Sequence, residues 1–182
     1  MELTRRDATA ALAAIGATGA VAYGAARSRR EREGGSDPDT GPPVDEEQIR
    51  ETLSAAAVVL YPREISGIDG FVDAFLDGRL DRPEHANAIG EGVTELDERA
   101  IAWYGDRFVK LSTANRDSLL REIGADTADE DPDGTTAERI RYYVVNELLL
   151  ALYASPTGGK LVGIENPQGY PGGIESYRRG PR

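Results

Sequence analysis

Apolar residues recur at three- and four-residue intervals in five stretches of this 182-residue chain, and no stretch alternates polar and apolar positions between turn signals as a half-buried strand would. The first, over residues 45–61, carries Ile49, Leu53, Ala56, Ala57 and Leu60, has Asp45, Glu46 and Glu47 in its first turn and meets Pro62 at its end. A short second helix is predicted after the Ser66-Gly67 turn, with Ile68, Phe71, Val72, Phe75 and Leu76 on one face. The third spans 83–104 on a ladder of Ile89, Val93, Leu96, Ala100 and Tyr104, with Trp103 alongside. Gly90 and Gly92 each weaken it by about 1 kcal/mol relative to Ala, so a kink or a close helix approach is expected there. Ser112 caps a fourth helix that buries Leu119, Leu120 and Ile123 and stops at Gly124. The fifth, 136–153, is apolar on most sides (Ile140, Tyr143, Val144, Val145, Leu148, Leu149, Leu150, Ala151, Leu152) and is expected to be buried nearly all round. The fold class is all-α, a compact irregular bundle of about five helices.

The flanks differ in kind. Residues 1–30 open with Thr4-Arg5-Arg6, continue with an uncharged run over 8–26 and close on Arg27, Arg29 and Arg30. This layout is that of an export signal, and the pair Arg5-Arg6 resembles the twin-arginine type, although Ala8 stands where a large apolar residue is common. The alternative is an Ala-rich helix that happens to begin with two Arg. Ala20-Val21-Ala22 offers a small-x-small cleavage site; left uncut, the run is just long enough to anchor in a membrane, which needs about 20 apolar residues. Residues 31–44 form an acidic, breaker-dense linker. The helical domain follows over 45–154, and 155–182 is read as an irregular tail.

Within that tail, nine of the nineteen residues in SPTGGKLVGIENPQGYPGG (155–173) are Gly or Pro, so no helix or central strand is expected through it. Leu161, Val162, Ile164 and Tyr170 are interleaved with the breakers, unlike a solubilising linker. The pattern suggests a segment held against a surface, with Gly158, Gly159, Leu161, Val162, Ile164, Tyr170, Pro171 and Gly172 as the residues that would touch a partner.

Composition narrows the function classes. Beyond residue 30 the chain holds 16 basic and 30 acidic residues, a net of −14, which repels phosphate backbones and argues against a nucleic-acid partner. Only Lys110 and Lys160 are lysines, and this acid-rich, Lys-poor balance reads as salt adaptation. There is no cysteine, hence no disulfide, thiolate metal site or Cys nucleophile. The single histidine, His85, sits among Glu84 and Asn87 and is expected on the solvated surface; Trp103-Tyr104 and Tyr142-Tyr143 are expected in the core. Asp129, Asp131, Asp133 and Gly134 have part of the spacing of a calcium loop, but Ile140 stands where the bidentate Glu belongs. Gly158-Gly159-Lys160 lacks the other parts of a phosphate loop. No Ser or Thr has a base at recognisable spacing, so catalytic, cofactor and metal residues are assigned to none.

The order TLSAAAVVLYP, GIDGFVDAFLDGRL, a Trp/Tyr-bearing helix, RFVKLSTANRDSLLREI and a long apolar helix running into YASPTGGKLVGIENPQGYPGG resembles the gluconate 2-dehydrogenase subunit 3 family over roughly residues 45–173. The closing glycine block is its most diagnostic part, and this chain departs from the bacterial pattern by carrying residues 161–167, LVGIENP, where a Gly-Trp pair is common. The resemblance implies a non-catalytic small subunit, in a salt-adapted version. Its large partner would be an FAD-bearing dehydrogenase of the glucose-methanol-choline type acting on a sugar acid or alcohol, with electrons passing in some cases to a cytochrome c subunit. It also implies that Arg5 and Arg6 address the pair to the twin-arginine translocase, for delivery to the outer face of the cytoplasmic membrane or beyond. The competing reading is a stand-alone exported helical protein, tethered through residues 8–26, with a structural or binding role.

The charge balance leads to one prediction. At molar salt the screening length falls to about 3 Å and the crowded carboxylates cease to repel, so the fold should weaken as salt is withdrawn. Circular dichroism melts across a salt series should show a falling midpoint; an unchanged midpoint from molar salt to dilute buffer would refute salt dependence.

Overall fold

The computed structural model describes residues 2–4, 45–161 and 163. Within them the chain is helical, and its only β pairing is a single parallel bridge between Glu2 and Ser66. The elements are α1 (Glu46–Leu60), α2 (Ile68–Leu80), α3 (Pro83–Tyr104), a 3-10 turn (Phe108–Lys110), α4 (Thr113–Ile123), α5 (Thr136–Ile140), a π turn (Arg141–Asn146), α6 (Glu147–Ala154) and α7 (Pro156–Leu161).

The boundaries follow from capping chemistry. Asp45 Oδ1 accepts the Gln48 N–H at 3.0 Å to start α1, and Ser112 Oγ accepts the Asn115 N–H at 3.2 Å to start α4. Thr135 and Glu138 form a reciprocal capping box at the start of α5. Gly105 and Gly124 close α3 and α4 in the left-handed conformation that glycine adopts without strain.

The core is one cluster. Ile49 and Leu53 of α1, Phe71, Phe75 and Leu76 of α2, Ile89 and Leu96 of α3, Phe108, Leu119, Ile140 and Leu148 are fully enclosed. Burying side chains of this size contributes roughly 1.5–3 kcal/mol each, so these residues carry most of the stabilisation. α3 runs unbroken, and Gly92 marks a close approach: a Cβ there would lie 3.3 Å from Cβ of Tyr143 in the π turn.

The run expected as one helix over 136–153 is helical throughout but is interrupted by the π turn at Arg141–Asn146. One extra residue in a turn offsets the faces on either side by about 100°. Ile140 is buried before the π turn, Val144 and Val145 within it, and Glu147, Leu148, Ala151 and Leu152 after it. Nor is the helix buried all round, since Leu150 and Tyr153 are exposed.

Two further features depart from the sequence reading. The stretch expected to exclude regular structure begins with a helix, α7. Pro156 occupies the first helical position, where its missing N–H is no loss, and Ser155 Oγ accepts the Gly158 N–H at 2.9 Å. Gly158 is required because a Cβ would run into the Leu152 carbonyl oxygen. Residues 2–4, grouped by sequence with the export segment, lie on the domain. Leu3 is 3% exposed and belongs to the core, and its N–H donates to the Ser66 carbonyl at 2.8 Å.

Candidate functional site

Several polar groups buried in this domain hold helices together. Glu147, 5% exposed, receives the guanidinium of Arg79 on both carboxylate oxygens, with Nε to Oε2 at 2.8 Å. His85 Nε2 lies 3.1 Å from Glu147 Oε1, at ion-pair distance but off the line of a straight hydrogen bond. The cluster joins α2, α3 and α6. His85 is therefore not the solvated residue that its polar neighbours in sequence suggested: it is 8% exposed, with its ring 6.2 Å from that of Tyr143. Burial pushes the Glu147 carboxyl up, but the close approach of His85, the hydrogen bonds from Arg79 and the charges of both outweigh it and hold the group below its ordinary value of 4.5.

Asp97 forms a second buried knot. It accepts from Gln48 Nε2 at 3.0 Å, Arg107 Nε at 2.8 Å and the Phe108 N–H at 2.8 Å, which fixes the corner after α3. Tyr61 donates its hydroxyl to the Leu148 carbonyl at 2.9 Å, and burial pushes that hydroxyl far above its usual pKa. Among the described residues no group of three or more His, Cys, Asp or Glu is arranged to hold a metal ion. In the stretch with part of the calcium-loop spacing, Asp131 Oδ1 accepts the Asp133 N–H at 2.9 Å.

A shallow cleft lined by Glu51, Val58, Lys110 and Arg116 has little free chemistry. Its Arg116 donates to the carbonyls of Phe108, Val109 and Ala55 and stacks over the Phe108 ring.

Large apolar side chains are exposed on α6 and α7, as are Val58, Ile101 and Trp103 elsewhere. Leu150 and Tyr153, three residues apart on α6, are each 42% exposed, and Leu161 at the end of α7 is 37% exposed. Leu161, one of the residues expected to touch a partner, is exposed. Gly158 and Gly159 are not: both are buried, and Gly158 serves the packing of α7 on α6. Val162, Ile164, Tyr170, Pro171 and Gly172 lie outside the described residues, as do Arg5 and Arg6. Sequence reasoning assigned Leu150 to helix cover and missed its exposure with Tyr153; the signal was that α6 has more large apolar residues than one buried face can use. Trp103, expected in the core, is 48% exposed beside Ile101 at the end of α3.

Comparison with known proteins gives one match. The family model described as Gluconate 2-dehydrogenase subunit 3 matches residues 47–172, a span that takes in α1 to α7 and most of the glycine- and proline-rich segment. No curated protein and no solved structure matches the chain.

The buried carboxylate generates a pH prediction. A pKa held below its unfolded value contributes stability above about pH 4.5 that is lost as pH falls through the folded value. Glu147→Gln, which mimics the protonated form, should cost on the order of 3 kcal/mol near neutrality, because Arg79 is left buried without its counter-charge. Thermal melts of wild type and variant should converge as the pH drops below 4.5; a gap independent of pH would refute the ion pair.

Proposed function

The chain belongs to the gluconate 2-dehydrogenase subunit 3 family, and from that premise we propose that it is the non-catalytic small subunit of an FAD-dependent dehydrogenase of the glucose-methanol-choline type. It holds and stabilises the large flavoprotein subunit, which carries the FAD and the chemistry on a sugar acid or alcohol. Contact is made through the apolar face of Leu150, Tyr153 and Leu161 and through the segment that continues from it. The observation that carries this reading is the position of that face. Three of the six large apolar side chains exposed among the described residues stand on α6 and α7, next in sequence to the family's glycine- and proline-rich segment. Exposed aliphatic and aromatic anchors of this kind supply binding energy when a partner covers them.

Arg5 and Arg6 act, in the same proposal, as the twin-arginine address for both subunits, with delivery to the outer face of the cytoplasmic membrane or beyond. This part rests on sequence, since the family match begins at residue 47. Among the described residues no helix is long and apolar enough to cross a membrane, and the 8–26 run lies outside them.

The binding surface is tested by cutting behind α7 rather than behind α6, because α7 is packed into the domain. A chain ending at Gly163 should keep its melting temperature within a degree or two and lose the large subunit on co-purification. Leu161→Asp should weaken retention at least tenfold without changing the melt. Retention of the flavoprotein by both variants would overturn the surface, and a full-length chain that purifies alone from salt-grown cells would overturn the subunit reading.

The address is tested separately. Arg5→Lys with Arg6→Lys preserves charge while removing the planar guanidinium groups. The double variant should abolish appearance of this chain and its partner outside the cell, and unchanged export would end the twin-arginine reading.

A further inference from the structure

Among the described residues Leu3 is the one core member that precedes α1, and residues 5–44 lie between it and the rest of the domain. We propose that the connection between α1 and α2 is a binding seat for an extended, leucine-bearing segment, filled by the chain's own residues 2–4, and that the seat makes the stability of the domain depend on its N-terminus staying attached. Any cut between residues 4 and 45, at Ala20-Val21-Ala22 among other places, is then felt in the core. This goes beyond the subunit reading and is independent of what Arg5 and Arg6 do.

The seat is built before its occupant arrives. Tyr61, 5% exposed at the end of α1, fixes the connection by donating its hydroxyl to the Leu148 carbonyl at 2.9 Å and by meeting the Phe71 ring edge-on at 6.4 Å. The Ile65 N–H donates to the Pro62 carbonyl at 2.9 Å and closes the turn, with Ile65 buried in the core cluster. The occupant adds two kinds of contact. Leu3 enters the same cluster, 3% exposed, and its N–H donates to the Ser66 carbonyl at 2.8 Å while Glu2 pairs with Ser66 in parallel. Gly67 lets the two backbones meet: its φ is +73°, and a Cβ there would come within 2.6 Å of the Leu3 carbonyl oxygen.

The brace falls where the domain lacks one of its own. α1, α4 and α5 each start with a side chain that accepts a backbone N–H, whereas Gly67 at the start of α2 has no side chain to offer. Residues 2–4 hold the backbone next to that uncapped end. One leucine and one hydrogen bond are too little to retain a separate short peptide, which must give up its translational freedom to bind. Attachment through residues 5–44 makes the docking intramolecular, whatever path those residues take. A cut in the connection therefore empties the seat. It removes a core side chain as a large-to-small substitution does and leaves the first turn of α2 free to open locally.

The test uses the full-length chain, purified in molar salt, with a site-specific protease sequence inserted between Gly34 and Gly35 so that the cut is made after folding. Cutting should lower the melting temperature by about 5 °C or more, and residues 1–34 should separate from the domain on size exclusion. Leu3→Asp should melt, uncut, near the cut wild type, and cutting it should move the midpoint by no more than about a degree, because its seat is already empty. Should Leu3→Asp lose its helical circular dichroism signal, Leu3→Ala provides the milder form, in which the cut should have half its wild-type effect or less. An unchanged melt on cutting the wild type would overturn the proposal. So would an equal drop in wild type and in the folded Leu3 variant, which would assign the stabilisation to some other part of the N-terminal region. Neither readout involves the large subunit or export, so failure here is distinguishable from failure of the subunit reading.

Discussion

A carboxylate taken out of water constrains this fold more tightly than its apolar packing does. Leucines and alanines on packed helices tolerate small slides, because the dispersion attraction given up at one place is regained at another. Glu147 does not, since its charge is tolerable in the interior only where Arg79 and His85 both reach it. Those partners come from α2 and α3, so three helices must reach their final register together. Asp97 applies the same constraint near the other end of α3, where one buried carboxylate collects a side chain from α1, a side chain from the loop after α3 and the backbone N–H of Phe108. With His85 two residues into α3 and Asp97 near its far end, the longest helix of the domain is pinned at both ends by charge and filled between them by Ile89, Val93 and Leu96.

The helices were legible because their ends are written locally. Asp45, Ser112, Gly105 and Gly124 act on residues within one turn, and the apolar ladders between them need no knowledge of the fold. What escaped depends on distance in sequence. His85 looks solvent-facing beside Glu84, yet its partner is Glu147, and nothing near either residue announces the other. Leu3 reads as part of a charged leader, and its seat is a turn more than sixty residues on. The π turn has no marker in the local sequence. At α7 the error was one of position: proline and glycine break helices in their interiors, but Pro156 stands at the start of one and Gly158 where only a bare backbone fits.

The candidate site was half legible for a related reason. The breaker-rich segment stood out by composition, but two of its glycines are buried in the domain, and the exposed Leu150 and Tyr153 belong to the helix before it. α7 is the hinge between these roles, tied inward through Ser155 and Gly158 and carrying Leu161 outward at its end. The family match crosses this boundary without interruption, so the helices and the segment beyond them form one unit of descent.

The arginines suggest how such an acidic chain coheres. Arg50, Arg79, Arg107, Arg116, Arg121, Arg139 and Arg141 each make hydrogen bonds to a carboxylate, a backbone carbonyl or both. Cations committed in this way hold the subunit together and are not available for attracting a second one. A concentrated electrolyte would in any case extinguish steering between charged surfaces while sharpening the aversion of water for hydrocarbon. The face of Leu150, Tyr153 and Leu161 is made of the material whose adhesion grows under those conditions. A complex joined there would tighten in brine and loosen on dilution, the reverse of the behaviour expected of partners drawn together by opposite charge.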